Sequence, residues 1–195
     1  MVTVFDVHNV SHSMFGEKAP LKRKEAPQKV ILRQKFAAGG LQRSVEGILL
    51  VHLHNHPHVL LLQEGMNRFK LPGGRLKAGD DEIEGLKRKL TSKLSFDANS
   101  NETSIEWTIG PLIATWWRPT FEEVAYPYIP PHVISPKEAR KVYLVPLPEK
   151  CAFAVPANLK LLAVPLFDLY NNSSQYGHCL ASIPEMLSHI SLNPR

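Results

Sequence analysis

Apolar positions gather early in the chain into two dense runs, VEGILLVHLH over 45–54 and HVLLLQEG over 58–65, parted by Asn55-His56-Pro57. Two leucine-rich and β-branched segments flanking turn-forming residues predict a β-hairpin. From Asp80 the period changes. Ile83, Leu86, Leu90 and Leu94 recur at helical spacing, with acids in the first turn and lysines later, the order a helix dipole favours. The segment KLPGGRLKAGDDEIEGLKRKLTSKL therefore reads as a strand, a glycine loop and a helix. WTIGPLIATWW and KVYLVPLP predict further strands, KVILRQKF over 29–36 a short helix, and 95–104 a loop. Pro165 opens a short helix through LFDLY, because proline needs no amide partner at the first helical position, and Ser182-Ile183-Pro184 starts another. Residues 1–44 are basic and weakly patterned, and no repeat or linker interrupts the chain. One mixed α/β domain is the economical architecture.

Composition narrows this picture. The chain has 195 residues, 44% of them apolar, enough for one independent core and unlike a disordered or collagen-like chain. No apolar run approaches the roughly 18 residues needed to cross a bilayer, and the start, MVTVFDVHNVSHS, has no basic end followed by an apolar stretch. The expectation is a soluble, unsecreted protein with no membrane partner. Cys151 and Cys179 are the two cysteines and form no CxxC, so neither a disulfide framework nor a zinc knuckle is written here. Lys plus Arg number 23 against 18 acids, a net charge of +5, which leans towards polyanionic partners. Of 16 prolines, ten fall between Pro111 and Pro165, predicting long, stiff loops between short elements.

Candidate chemistry is sparse outside one segment. His52, His54, His56 and His58 alternate along a predicted strand, which puts pairs on one face as metal ligands or as incidental hairpin residues. No cysteine or carboxylate close by in sequence completes a ligand set. Trp116 and Trp117 are adjacent, so one ring faces inward; together with Trp107 they are candidates for stacking or for the core. No GxSxG, HExxH or P-loop pattern occurs.

The informative stretch is Gly73 to Phe96. It resembles the Nudix box, G-x5-E-x7-R-E-U-x-E-E-x-G-U, matching at Gly74, Asp80, Arg88 and Leu90. Box glutamates hold divalent metal against a diphosphate, since hard cations need several carboxylate oxygens close together. Here the three core glutamates are replaced by Lys89, Ser92 and Lys93. Their i, i+3, i+4 spacing shares a helix face, so two ammonium groups would point where metal should sit, unless the lysines are only a solvated face. No hydrolysis, metal or cofactor is expected.

Several longer segments carry a closer resemblance: SVEGILLVHLHNHPHVLLLQ, FKLPGGRL, EGLKRKLTSKL, WWRPTFE, YPYIPPH and FAVPANLKLLAVPLFDLY. From about Val7 onward the chain is similar to the Nudix subunits of pre-mRNA cleavage factor Im. The resemblance implies an α/β, Nudix-like mixed β-sheet sandwiched between helices, with an N-terminal extension over 1–44, the domain over 45–170 and a C-terminal segment over 171–195. It further implies a nuclear, homodimeric, non-catalytic protein that binds UGUA elements in pre-mRNA. A larger subunit with an RNA-recognition domain would be its partner, and poly(A) polymerase a further one. The alternative within the superfamily is a nucleotide or dinucleoside polyphosphate hydrolase or sensor.

The same resemblance assigns site residues. Glu46 would accept hydrogen bonds from base N–H groups, Phe69 and Leu71 would offer backbone groups, and Arg68, in the loop Asn67-Arg68-Phe69, would stack on a base. Tyr176-Gly177 matches a C-terminal contact. Tyr126 and Tyr128 either add to the pocket or buttress the proline loop. Two departures stand out. Arg68 replaces a common aromatic, leaving stacking to a guanidinium. The 20–36 segment is short, so that Glu25 takes an acid's role while either Gln28 or Lys29 falls where an arginine belongs; neither reproduces a bidentate fork.

Overall fold

A computed structural model of the chain describes residues 4–22, 27–96 and 105–195. In chain order these form β1 (Val4–Val7), a 3-10 turn (Val10–His12), β2 (Met14–Lys18), α1 (Gln28–Gly39), β3 (Gln42–Leu53), β4 (His56–Glu64), β5 (Arg68–Lys70), β6 (Gly73–Arg75), α2 (Glu82–Leu94) and β7 (Leu112–Arg118). There follow β8 (Glu138–Val145), β9 (Ala152–Pro156), β10 (Lys160–Pro165), four short helices α3 (Leu166–Leu169), α4 (Ser173–Tyr176), α5 (His178–Ala181) and α6 (Ile183–Leu187), and β11 (Ser191–Pro194). No helix among the described residues is long and apolar enough to cross a membrane.

The main sheet runs β10-β4-β3-β8-β7, with β5 added to β4 and β6 to β3. Only the β3–β8 pairing within it is parallel. Alternation along β3 divides the core. Val45, Leu49 and Val51 face Leu86, Leu90 and Leu94 of α2, whereas Ile48 and Leu50 face Leu169, Leu180, Ile183 and Leu187 of α3, α5 and α6. A mixed sheet sandwiched between helices is the result, as the family resemblance implies. α2 starts where Asp81 caps it by accepting from the Glu84 amide at 3.0 Å, satisfying one of the unpaired amides of the first turn.

Several sequence-based boundaries move. The hairpin turn is His54-Asn55, since Leu53 pairs with His56 and His52 with Pro57. Both turn residues have positive φ, 49° and 61°, the geometry that matches strand twist in a tight hairpin, so His56-Pro57 belongs to β4. The strand expected over 107–117 begins only at Leu112. Pro111 has no amide to donate, and Gly110 is fixed separately by donating to the Leu144 carbonyl at 2.8 Å. Pro165 caps α3 rather than occupying its first position, and the helix expected over 29–36 extends to 28–39. Most of the loop expected over 95–104 lies outside the described residues.

The weakly patterned N-terminal region contains two strands the sequence did not predict. β1 pairs in parallel with β11, and β2 in parallel with β9. Phe5 and Val7 are buried against the sheet face that carries α3, α5 and α6. α1 is held beside the proline-rich segment by aromatic and cationic contacts, with Phe36 edge-on to Phe121 at 5.8 Å and Lys137 4.2 Å above the Phe36 ring. Trp107 and Trp116 are core residues. The four histidines are spread along both strands of the hairpin and its turn, and His58 is buried, donating from Nδ1 to the His56 carbonyl at 2.8 Å.

Candidate functional site

β3 and β4 part company at one end of the sheet. They pair only from Leu50–Val59 to Leu53–His56; beyond that, β6 takes the edge of β3 and β5 the edge of β4. A groove of about 290 Å³ opens at this split, continuous in its lining with a hollow of about 190 Å³ under the C-terminal helices. Glu46, Phe69, Lys70, Leu71, Glu123 and Arg140 line both. No strand among the described residues pairs with the outer edge of β5.

The polarity of the groove follows from strand period. On the face where Ile48, Leu50, Val142, Leu144 and Trp116 are core, the same rows continue as Ser44 and Glu46 on β3, Glu138 and Arg140 on β8, and Arg118 on β7. Each strand thus changes from apolar to charged along one face. The charged ends are knit together: Ser44 Oγ donates to Glu138 at 2.6 Å, Glu138 pairs with Arg75 at 3.5 Å, Arg118 at 3.4 Å and Arg140 at 3.8 Å, and Arg140 reaches Glu46 at 3.5 Å. Arg118 and Glu138 are fully enclosed, with side-chain exposures of 4% and 5%. Burial alone would raise the Glu138 pKa, but Arg140, the Ser44 hydroxyl, Arg75 and Arg118 outweigh it and hold the group below the ordinary glutamate value. Glu46 goes the other way, because burial lifts it further than Arg140 pulls it down. Arg140 is held above its ordinary value, chiefly by Glu46.

Across the groove Arg68 donates to Glu123 at 2.7 Å, and Lys70 to Glu64 at 2.7 Å, which lowers the Glu64 pKa. The Phe69 ring lies 4.9 Å from that of Tyr176, tilted by 55°. Six basic side chains (Arg68, Lys70, Arg75, Lys93, Arg118, Arg140) and four acidic ones (Glu46, Glu64, Glu123, Glu138) line the groove, a surplus of two positive charges. Such a lining suits an anionic ligand carrying planar, hydrogen-bonding groups.

Lys93 is not a solvated surface lysine. It reaches from α2 past the glycines of β6, donates to the Gly73 carbonyl and lines the groove. Burial, then nearby Lys70, lowers its pKa to about 8. Lys89, one turn earlier, lies along Gly74, and burial followed by Arg88 lowers its pKa too. Ser92 is exposed and lines neither cavity, so it is Lys89 and Lys93 that meet the glycine loop. Ammonium groups here do not suit a divalent cation, which needs converging oxygens.

Of the residues expected at the site, Glu46, Arg68, Phe69, Leu71, Tyr176 and Gly177 come together around the groove and hollow. The Leu71 side chain is core, leaving its backbone for the groove. Asn67 is an exposed turn residue outside the lining. Gln28, the first residue of α1, lines the groove, whereas Lys29 pairs with Glu122. Tyr126 and Tyr128 contact each other at 5.8 Å on the proline-rich loop and line neither cavity. Glu25 lies outside the described residues. Arg118, Glu123, Glu138 and Arg140 were not expected. The readable signal was Glu138 and Arg140 at i, i+2 ahead of Val142 and Leu144, charges on a row that turns apolar.

Comparison with known proteins gives the family. Residues 3–190 match the NUDIX_2 family, described as nucleotide hydrolase. The chain is 50% identical to pre-mRNA cleavage factor Im 25 kDa subunit 2 of Arabidopsis thaliana over 99% of its own length and 97% of that protein. It is 48% identical to cleavage and polyadenylation specificity factor subunit 5 of Dictyostelium discoideum, over 92% of this chain and 90% of that one. Subunit 1 of the Arabidopsis thaliana factor is 47% identical, over 96% and 85%. With a Nudix-type fold along nearly its whole length and this level of identity, the chain belongs to the family of cleavage factor Im 25 kDa subunits.

Proposed function

We propose that the chain is a non-catalytic, RNA-binding subunit of the pre-mRNA 3′-end cleavage and polyadenylation machinery, acting in the nucleus and recognising UGUA-type elements. One observation carries the reading: Glu46 and the edge of β5 at Phe69, unpaired among the described residues, line a cationic groove that continues into the hollow lined by Tyr176-Gly177. Single-stranded RNA is read by stacking bases on rings or guanidinium planes and by hydrogen bonds to exposed base edges. Glu46 accepts from base N–H groups, β5 offers backbone groups, and Arg68, released from Glu123, stacks. The names of the relatives support a place in a cleavage factor complex. The partners proposed are a larger subunit with an RNA-recognition domain, a second copy of this chain, and poly(A) polymerase.

The nucleotide hydrolase reading, which the family description suggests, is disfavoured by Lys89 and Lys93 against the glycine loop. One titration decides between them. Short RNAs containing UGUA or a scrambled tetramer are measured with and without magnesium, beside an assay of nucleoside and dinucleoside polyphosphates. Tighter binding of UGUA, indifferent to magnesium and without turnover, is expected. Magnesium-dependent turnover lost in Asp80→Ala would overturn the reading.

A further inference from the structure

A third cavity, of about 500 Å³, lies between the C-terminal end of α1 and the loop after β6, and has no acidic residue in its lining. Its cations are Lys35, Arg43 and Lys77. Arg43 is engaged, donating to the Asp80 carbonyl at 2.9 Å. Lys35 and Lys77 are exposed, and among the described residues neither ammonium group is ion-paired with a carboxylate, the Asp80 carboxylate accepting instead from the Lys77 backbone amide at 2.9 Å. The carbonyls at the end of α1, which would repel an anion, are partly covered by Gln42 Nε2, which donates to Gly40 at 2.9 Å and Lys35 at 3.1 Å.

This cavity lies around the β3–β6 strand pair from the groove: Ser44 and Arg75 line the groove, and their chain neighbours Arg43 and Leu76, on the opposite face of these strands, line the cavity. At the groove end of this stretch Lys93 sits at Gly73, and Lys89 lies along Gly74. From Gly73 to Lys77 the chain covers about 13 Å if extended, with ammonium groups spaced along it. Lys89 feels both Lys35 and Lys77 as like charges, which add to the lowering of its pKa. The carboxylates nearest this row, Asp80, Glu46 and Glu64, are each ion-paired with another cation, Arg88, Arg140 and Lys70, so they offset its repulsion only in part, a cost that a phosphate chain relieves.

We propose that the lysine row Lys93, Lys89, Lys77 and Lys35 binds the phosphate backbone of RNA beyond the recognised tetranucleotide, leading it out of the groove into this third cavity. The proposal rests on the RNA-binding reading of the groove and adds a sequence-independent contact to it. Such contacts position the strand and set salt dependence while carrying no sequence information.

The test compares a bare UGUA-containing oligonucleotide with the same element carrying flanks of about six nucleotides on each side, within the usual site size of a single-strand groove. Wild-type protein, Lys35→Ala/Lys77→Ala and Lys35→Arg/Lys77→Arg are titrated at several salt concentrations. The flanks are expected to tighten wild-type binding about tenfold and to steepen the salt slope, each neutralised phosphate adding about 0.7. The alanine pair loses the gain and about 1.4 of the slope while binding the bare element as before; the arginine pair keeps both. Flanks without effect on the wild type, or a gain retained by the alanine pair, would overturn the proposal. A scrambled element that binds as well as UGUA would instead remove the reading of the groove, leaving the flank comparison to decide the lysine row separately.

Discussion

Arg68 and Glu123 reach across the mouth of the groove with both side chains largely in solvent. A pair of this kind contributes about 0.2–1 kcal/mol, so it is a weak latch that a stacking base can open. Arg68→Ala is expected to weaken RNA binding by about 1–3 kcal/mol, the loss of one stacking platform, and Arg68→Phe to restore it. Glu123→Gln should strengthen binding by about 0.5 kcal/mol, by freeing the guanidinium and removing a negative charge. Unchanged affinity in all three variants, measured by fluorescence anisotropy, would make the loop purely structural. Lys93 gives a second residue-level test. Its pKa is about 8 in the folded chain against an ordinary 10.5. Between those values the unfolded chain holds more protons, so this residue's contribution to stability rises with pH. Comparing urea denaturation of wild type and Lys93→Met across pH 7 to 11, the wild type should gain on the variant by up to about 3 kcal/mol. A gap that stays constant across that range would show that Lys93 is not desolvated.

At the scale of elements, the contact between β3 and β6 sets the width of the groove. Gly73 has φ 150°, and a Cβ there would collide with the Val45 carbonyl and stand 2.6 Å from Glu46 Cα. Both neighbours are backbone and cannot rotate away. Gly73→Ala is expected to cost about 3 kcal/mol or more and to abolish RNA binding with it. Gly74→Ala meets only the flexible Lys89 chain at 3.6 Å and should cost less, about 1–3 kcal/mol from backbone strain; thermal denaturation ranks the two. The hairpin and α2 were legible because their apolar periods run long within local sequence. β1, β2, β9 and β11 were not: each has only four or five residues and pairs in parallel with a strand far away in the chain. Glu46 and Phe69 were found through resemblance, whereas Glu138 and Arg140 sit at the charged end of a strand whose other end is core, and a strand assignment by itself hides that change.

For the whole molecule, the strongest functional expectation concerns two copies. If the chain is a homodimer with one groove per copy, an RNA with two UGUA elements on a flexible spacer binds more tightly than one element. The second site then acts at high effective concentration, and a gain of roughly a hundredfold needs no new contact. The gain should vanish when the spacer is too short to span both grooves. A monomer by light scattering at working concentration, or equal affinities across the spacer series, would remove the bivalent reading.

The pairing of β1 with β11 also bears on how the molecule comes into being. Asn193 donates to Asp6 across a separation of 187 residues, and Arg195 donates its amide to Val7. Translation delivers the two partners 187 residues apart. While the ribosome is still making the helices, Phe5 and Val7 have no β11 to dock beside, and closing so long a loop is entropically costly and slow. β1 is therefore expected to stay unpaired while the sheet assembles, until residues 191–194 emerge and capture it. A nascent chain stalled before that segment emerges would present β1 to chaperones and proteases as an unpaired apolar strand.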